Sequence, residues 1–308
     1  MIATQLPTED QVFLDHVGFF VRDLEEAGRQ LTRLGFDLSP INLQQNADAQ
    51  GTLRPSGTSN RLAVTGLGFL EVLAATHDTP LATALKTELE RYDGLHLIAF
   101  SHADIPAQRR RLVADGFAMQ EVVNLRRHKT VDGVEREVRW SVLRPQSGVM
   151  PEGRVQFAYC HTPDLTWAPD AKAPPNGAQA LTDTVLIVAD RKEAATRFAR
   201  YAGRASADDG TSARLSLDRG ALLFVEPAEA DAVLPALPRD AVPRMAGQAI
   251  AADLAATRAA LARGAVNALW ADGDLICVGP ENALGSCLLF HAASVTDPWR
   301  EFQRRARR

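Results

Sequence analysis

Cysteine is scarce. The 308 residues hold three, Cys160, Cys277 and Cys287, too few for a disulfide framework and without zinc-finger spacing. No uninterrupted apolar run reaches the roughly 18–20 residues that span a bilayer. The opening MIATQLPTEDQV has neither the basic nor the apolar region of a secretion signal. Net charge is only -4, so no global basic field recruits nucleic acid. These absences predict a cytoplasmic protein without nucleic acid or membrane as a partner. What is present, 46% hydrophobic and 23% charged residues, is enough to build one or two packed domains.

Histidine is nearly missing from the second half. Six of seven (His16, His77, His96, His102, His128, His161) precede residue 162, and only His291 follows. Histidine chemistry is therefore expected in the first half. The boundary falls at 163–180, PDLTWAPDAKAPPNGAQA, whose Pro-Pro-Asn-Gly cluster interrupts any regular element. The expected domains are 1–165 and 180–308.

One order of elements recurs four times: strand, Asp, amphipathic helix, Gly. It reads as VRD…LGF, SHAD…DGF, VAD…YAG and AAD…ARG, at a period of roughly 70–85 residues, too long for a short-repeat solenoid. Strand-like segments follow each helix, such as NRLAV and GFLEVLAA in the first unit and EVVNLRR, REVRWSVL and RVQFAYCH in the second. The fold class is therefore α+β, built of four βαβββ units paired into two domains. A helix covers one face of such a sheet, and the other is free to curve around a cleft.

His16 lies in the first strand of unit one and Glu71 in its last. His96 lies in the first strand of unit two, and His161 ends its last. Imidazole and carboxylate together bind divalent Zn, Fe, Mn, Co or Ni. A lone strand histidine is ordinarily a satisfied core residue, so the recurrence in two units is what points to chemistry. Asn60 and Arg61 offer groups to orient a polar oxygen or carboxylate. LRRHK (125–129) before TVDGVERE reads as a hairpin, either solvated or placed over the cleft to attract an anion. Trp140 and Trp167 read as core or cleft wall, and the tail REFQRRARR as a frayed, solvated helix.

The units, with LDHVGFFVRDLEEAGRQLTRLGF and FLEVLAA, resemble the vicinal oxygen chelate superfamily, which includes glyoxalase I, extradiol dioxygenases and bleomycin-resistance proteins. GTSNRL (57–62), FLEVLA (69–74) and CHTPDLTW (160–167) are similar to its glyoxalase-like-domain branch, where GTxNRL, FLEL and HxPExxW recur. The resemblance implies a divalent metal ion held by His16, Glu71 and His96, with His161 as fourth ligand. No Glu stands in RVQFAYCH, where the glyoxalase I pattern ends on one, so His161 is alternatively an acid–base group. Glu71 and His161 are the candidate catalytic residues; Asn60, Arg61 and Tyr159 are the candidate substrate-binding ones. The implied activity is a metal-dependent lyase or isomerase of a small oxygenated metabolite. The alternatives are an Fe(II) extradiol-type dioxygenase and a non-enzymatic small-molecule binder. The expected partner is a small-molecule substrate, with a homodimer left open. The second half lacks the ligands and is expected to be a scaffold.

Overall fold

The computed structural model describes residues 4–47, 53–131, 133–167, 173–234, 237 and 241–306. The first half begins with β1 (Phe13–Phe20), α1 (Leu24–Arg33), β2 (Asn42–Ala47), β3 (Leu53–Val64) and β4 (Phe69–Ala75). A connecting helix, α2 (Pro80–Arg91), leads to β5 (Gly94–Ser101), α3 (Ile105–Ala114), β6 (Val123–Val131), β7 (Val134–Leu143), β8 (Arg154–Cys160) and the single turn α4 (Pro163–Thr166). The second half repeats the order. Its elements are β9 (Ala178–Ile187), α5 (Arg191–Ala202), β10 (Ser206–Asp208), β11 (Ala213–Ser216), β12 (Ala221–Val225), α6 (Pro227–Val233), β13 (Arg244–Ala252), α7 (Leu254–Arg263), β14 (Trp270–Ala271), β15 (Leu275–Val278), β16 (Cys287–His291) and α8 (Pro298–Ala306). The architecture is α+β, two glyoxalase-like domains of paired βαβββ units. Among the described residues, no helix is long and apolar enough to cross a membrane.

Each half forms one eight-stranded mixed sheet with the same plan. The orders are β2-β3-β4-β1-β5-β8-β7-β6 and β10-β11-β12-β9-β13-β16-β15-β14. The first strands of paired units lie side by side and antiparallel at the centre, each flanked by a parallel last strand.

The recurring Asp of the sequence is a helix cap. Asp23, Asp104, Asp190 and Asp253 each precede a helix and accept hydrogen bonds from its first free N–H groups. The recurring Gly closes it. Gly203 takes the left-handed conformation at φ 66°, whereas in the fourth unit Gly264 stays at φ -79° and Ala265 turns instead, at φ 51°.

One continuous core joins the halves. Val17, Phe19, Leu70, Phe100 and Phe157 of the first sheet pack in the same cluster as Leu186, Phe224, Ile250 and Phe290 of the second. The opposite faces differ. On the first sheet, α2 covers one end through Leu85 and Leu89 against Phe20, Leu73, Leu97 and Ala99, and the remainder lines a cavity. On the second, α6 and α8 fill the matching face, with Trp299 and Phe302 packed on Val185, Leu223, Ala249, Cys287 and Leu289. The tail expected to be solvated is therefore partly core, because REFQ follows Trp299 and Phe302 occupies the same buried stripe. Trp299 donates from Nε1 to the Asp183 carbonyl at 3.0 Å. A Cβ on Gly247 would stand 2.8 Å from its ring, so the missing side chain makes room for the indole.

Trp299→Ala should empty the space above Gly247 and lower stability by about 3–5 kcal/mol, the usual cost of truncating a buried tryptophan. Chemical denaturation checks this; a loss below about 1 kcal/mol would mean that α8 rests on the sheet without supporting it.

Candidate functional site

The cavity lies on the first sheet and encloses about 180 Å³, somewhat more than the roughly 150 Å³ void that takes benzene. Strand pairing fixes what faces it. His16 lies opposite Ala99 on β5, and Ala99 opposite Gln156 on β8. The next row runs from Glu71 through Gly18 and Leu97 to Arg154. His16, Glu71, Leu97, Arg154 and Gln156 all line the space.

His16 is fixed on three sides. Its ring stacks on Phe69, centroids 4.4 Å apart and 13° from parallel, and meets the edge of Trp140 at 6.3 Å. Its Nδ1 lies 2.7 Å from Asp15 Oδ2. Neighbours on a strand ordinarily point to opposite faces, but Asp15 is the extra residue of a β-bulge between Leu14 and His16. Asp15 is fully buried, and Arg219, from the turn before β12, offsets its charge. In the neutral ring, Nδ1–H donates to Asp15 and the Nε2 lone pair faces the cavity. Nε2 stands 3.9 Å from Glu71 Oε2 and 3.5 Å from the Gln156 amide nitrogen.

Glu71 is buried too, at 7% exposure. Asn60 donates from Nδ2 to Glu71 Oε1 at 2.5 Å, and Gln44 Nε2 reaches the same oxygen at 3.4 Å. Asn42 in turn donates to Asn60 Oδ1 at 3.0 Å. Oε2 is left toward His16. Arg127 (β6), Arg144 (just past β7) and Arg154 (β8) also line the cavity. Burial pushes all three guanidinium pKa values down, Arg154 to about 10, while Glu71 opposes the shift in each. Phe69, Trp140, Leu62, Leu125 and Val138 supply apolar wall.

The other expected site residues lie elsewhere. His96 is the bulge residue opposite Gly18 and Phe19. It is fully buried between Phe20 and Tyr92, with Nε2 on the Tyr92 carbonyl at 2.8 Å and Nδ1 3.5 Å from Glu88. The β5 residues that face the cavity are instead Leu97 and Ala99. Tyr159 and His161 share a face, as alternation requires, but it is the face opposite Gln156 and Ala158. Their rings meet edge-on at 5.2 Å, and His161 Nε2 is 2.8 Å from Ser141 Oγ. Partial burial, then the Arg139 charge, push the His161 pKa down. Aligned on the caps Asp23 and Asp104, Ala99 takes the place of Gly18, so the β5–β8 register makes Gln156 the counterpart of Glu71, five residues and roughly 17 Å of strand before His161. Arg61 faces outward, donating to the Ser39 carbonyl at 3.0 Å and pairing with Glu25 at 3.5 Å. So of the seven expected residues, His16, Asn60 and Glu71 come together; Arg61, His96, Tyr159 and His161 do not join them.

The residues not foreseen as site residues are Asp15, Gln156, Arg127, Arg144 and Arg154. Alternation in VNLRR, VRWSVLR and RVQFA carries the signal: Leu125 with Arg127, Trp140 with Arg144, and Arg154 with Gln156 each share a parity.

A model of the glyoxalase-like domain matches residues 14–202. The chain belongs to the glyoxalase-like domain family. Its fold is that of the vicinal oxygen chelate superfamily. A hypothetical protein from Staphylococcus aureus superposes with a TM-score of 0.62 at 11% identity, over 91% of this chain and 99% of its own. A mutant 4-hydroxymandelate synthase from Streptomyces coelicolor gives 0.58 at 15% identity, over 97% and 99%. An Mn(II)-bound glyoxalase from Novosphingobium aromaticivorans gives 0.56 at 11%, over 92% and 82%. At such identities the likeness is one of fold. No curated protein matches the sequence.

The donor set does not fit a resident divalent ion. A catalytic zinc ordinarily has three protein ligands. Here His16 and Glu71 supply two, Leu97 and Ala99 stand where β5 would add another, and the Gln156 carbonyl oxygen accepts from Arg144 Nε at 2.9 Å. Three guanidinium groups around the same space oppose a dication. Among the described residues, no three His, Cys, Asp or Glu side chains gather into a metal-binding group.

The geometry predicts that neutral His16 is the Nδ1–H tautomer. Imidazole 15N chemical shifts of the wild type should show Nε2 unprotonated, and Asp15→Asn should weaken that preference. An Nε2–H tautomer in the wild type would contradict the assigned contact.

Proposed function

We propose that this chain is an acid–base enzyme, a lyase or isomerase that removes a proton from carbon beside a carbonyl of a small oxygenated molecule. The observation that carries the reading is the Asp15–His16 pair, with Nε2 aimed into the cavity 3.9 Å from Glu71 Oε2. His16 Nε2 takes the proton as general base, and Asp15 supports the imidazolium that forms. The C–H electron pair moves onto the carbonyl oxygen, and the arginines stabilise the resulting oxyanion. Return of the proton to the other face of the same carbon completes an epimerisation; in an α-hydroxycarbonyl, transfer of the hydroxyl proton to the oxyanion and return of the carbon-bound proton from His16 to the former carbonyl carbon completes an isomerisation; loss of a leaving group from the next carbon completes an elimination. The family's metal-dependent members stabilise such oxyanions with an ion, and here fixed cations would serve.

A second reading keeps a divalent ion (Zn, Fe, Mn, Co or Ni), with His16 and Glu71 as the pair that would hold it. It is favoured by Asp15 on the far nitrogen of His16, the outer partner that metal-bound histidines ordinarily have, and by the Mn(II)-bound relative. An extradiol-type Fe(II) dioxygenase is less well supported, since it needs two histidines and a carboxylate on one face and His96 does not reach the cavity.

The test is solvent deuterium exchange. Chelator-treated protein is incubated in D2O with a panel of 2-oxo acids and hydroxyketones, and proton loss is followed by NMR. The wild type should exchange the C–H of at least one compound, and His16→Gln should slow this on the order of 10²–10⁴-fold. Exchange that disappears on chelation and returns with Mn(II) or Fe(II), with stoichiometric metal lost in Glu71→Gln, would replace the first reading by the second. Binding without exchange under either condition would leave a small-molecule binding protein.

A further inference from the structure

The cavity has more positive charge than its own residues need. Elsewhere, inward-facing arginines have hydrogen-bond partners in the protein: Arg197 holds Glu152 and Glu193, Arg214 holds Asp183 and Asp297, and the buried Arg219 and Arg244 donate to backbone carbonyls. Around the cavity the pattern breaks. Among the described residues, Arg127 and Arg154 have no protein hydrogen-bond acceptor; Arg154 lies over the Phe20 ring at 5.0 Å. Arg144 uses only its Nε, toward Gln156. Glu71 is the one carboxylate lining the space, and Asn60 and Gln44 already occupy one of its oxygens. Arg126 also lines the space but pairs with Glu137 at 3.8 Å; the other three cations against one anion leave a surplus of two charges in a partly desolvated site, where an unpaired charge is costly.

The surplus is divided along one wall. Arg144 follows Leu143, which pairs with Phe157 of β8, so it stands beside Arg154 and Gln156. Arg127 lies opposite Val138, six residues earlier on β7, roughly 20 Å of strand away before the side chains reach inward. Trp140 is on the wall between them and meets both Phe69 and His16 edge-on, at 6.1 and 6.3 Å.

We infer that the ligand of this cavity is a small organic dianion with two separated acid groups, one held by Arg144 and Arg154, the other by Arg127, with an apolar body between them against Trp140 and Phe69. Guanidinium forks match carboxylate geometry, and two such pairs neutralise the surplus. The inference rests on the reading of the cavity as the substrate site and names the substrate class: dicarboxylates bearing the carbonyl that His16 acts beside.

Calorimetric titration with glutarate, terephthalate, benzoate, benzamide and phenyl phosphate tests it. Glutarate or terephthalate should bind at least about tenfold more tightly than benzoate, and neutral benzamide weakest, as expected for charge-assisted contacts. Arg127→Gln should bring the dicarboxylates down to the benzoate level and leave benzoate unchanged. Arg154→Gln should weaken both. If those variants fail to fold, the order among the five probes on the wild type decides alone. Benzamide or benzoate binding as well as the dicarboxylates would overturn the inference. So would phenyl phosphate binding best with no effect of Arg127→Gln, since a compact dianion at one end would then suffice. His16→Gln should keep dicarboxylate affinity within about threefold, so selective binding without proton exchange would sink the acid–base reading and leave the substrate class standing.

Discussion

Strand β1 runs parallel to β4 and antiparallel to β5, and what surrounds the cavity follows from that double pairing. It sets Glu71 beside Gly18, one row from His16, and carries the row through Ala99 to Gln156. Two bulges then decide the chemistry. The one at Asp15 swings a carboxylate onto the imidazole that follows it. The one at His96 leaves that histidine stacked beneath Tyr92, so β5 presents only Leu97 and Ala99. A one-residue slip in either place would exchange the faces of the strand, which is why an unremarkable backbone irregularity separates a single-histidine site from a two-histidine one.

The two halves use one plan for different ends. In the second sheet the residue in the register place of His16 is Asp183, and that of Glu71 is Leu223. Asp183 is buried against Arg214, and burial holds its pKa up at about 6 against the pull of that arginine. His291 has both ring nitrogens engaged, by Thr182 and by its neighbour's carbonyl. In the second half α8 fills the matching face, and Arg219 lies behind Asp15. The first half keeps its face open, and the charge left uncompensated there is what gives the cavity its selectivity.

The architecture was legible because it is written four times over. The Asp caps recur as sequence and as hydrogen bonds, and GTSNRL and FLEVLA mark the strands that carry Asn60 and Glu71. His16 and Glu71 were legible from their places on the first and last strands of one unit and from the family resemblance, and the β1–β4 register sets them on one face. His96 and His161 could not be placed, for different physical reasons. A bulge has no signature in GLHLIAF, and a parity argument along FAYCH fixes which residues share a face without saying which face is buried against helices. Arg127 lies in LRRHK, a hairpin that the sequence left either solvated or placed over the cleft, and Arg144 and Arg154 lie outside that hairpin. Only the curl of the sheet, which brings β2 and β6 near each other, turns Arg127 inward. The helix α2 and the packing role of α8 depend on tertiary contacts that local pattern does not encode.

A crystal structure of the protein grown with terephthalate is the most direct test. One carboxylate should lie on Arg144 and Arg154 and the other on Arg127, with the ring against Phe69 and Trp140 and no metal between His16 Nε2 and Glu71. An ion bridging those two side chains, or a ligand bound outside this cavity, would contradict this arrangement.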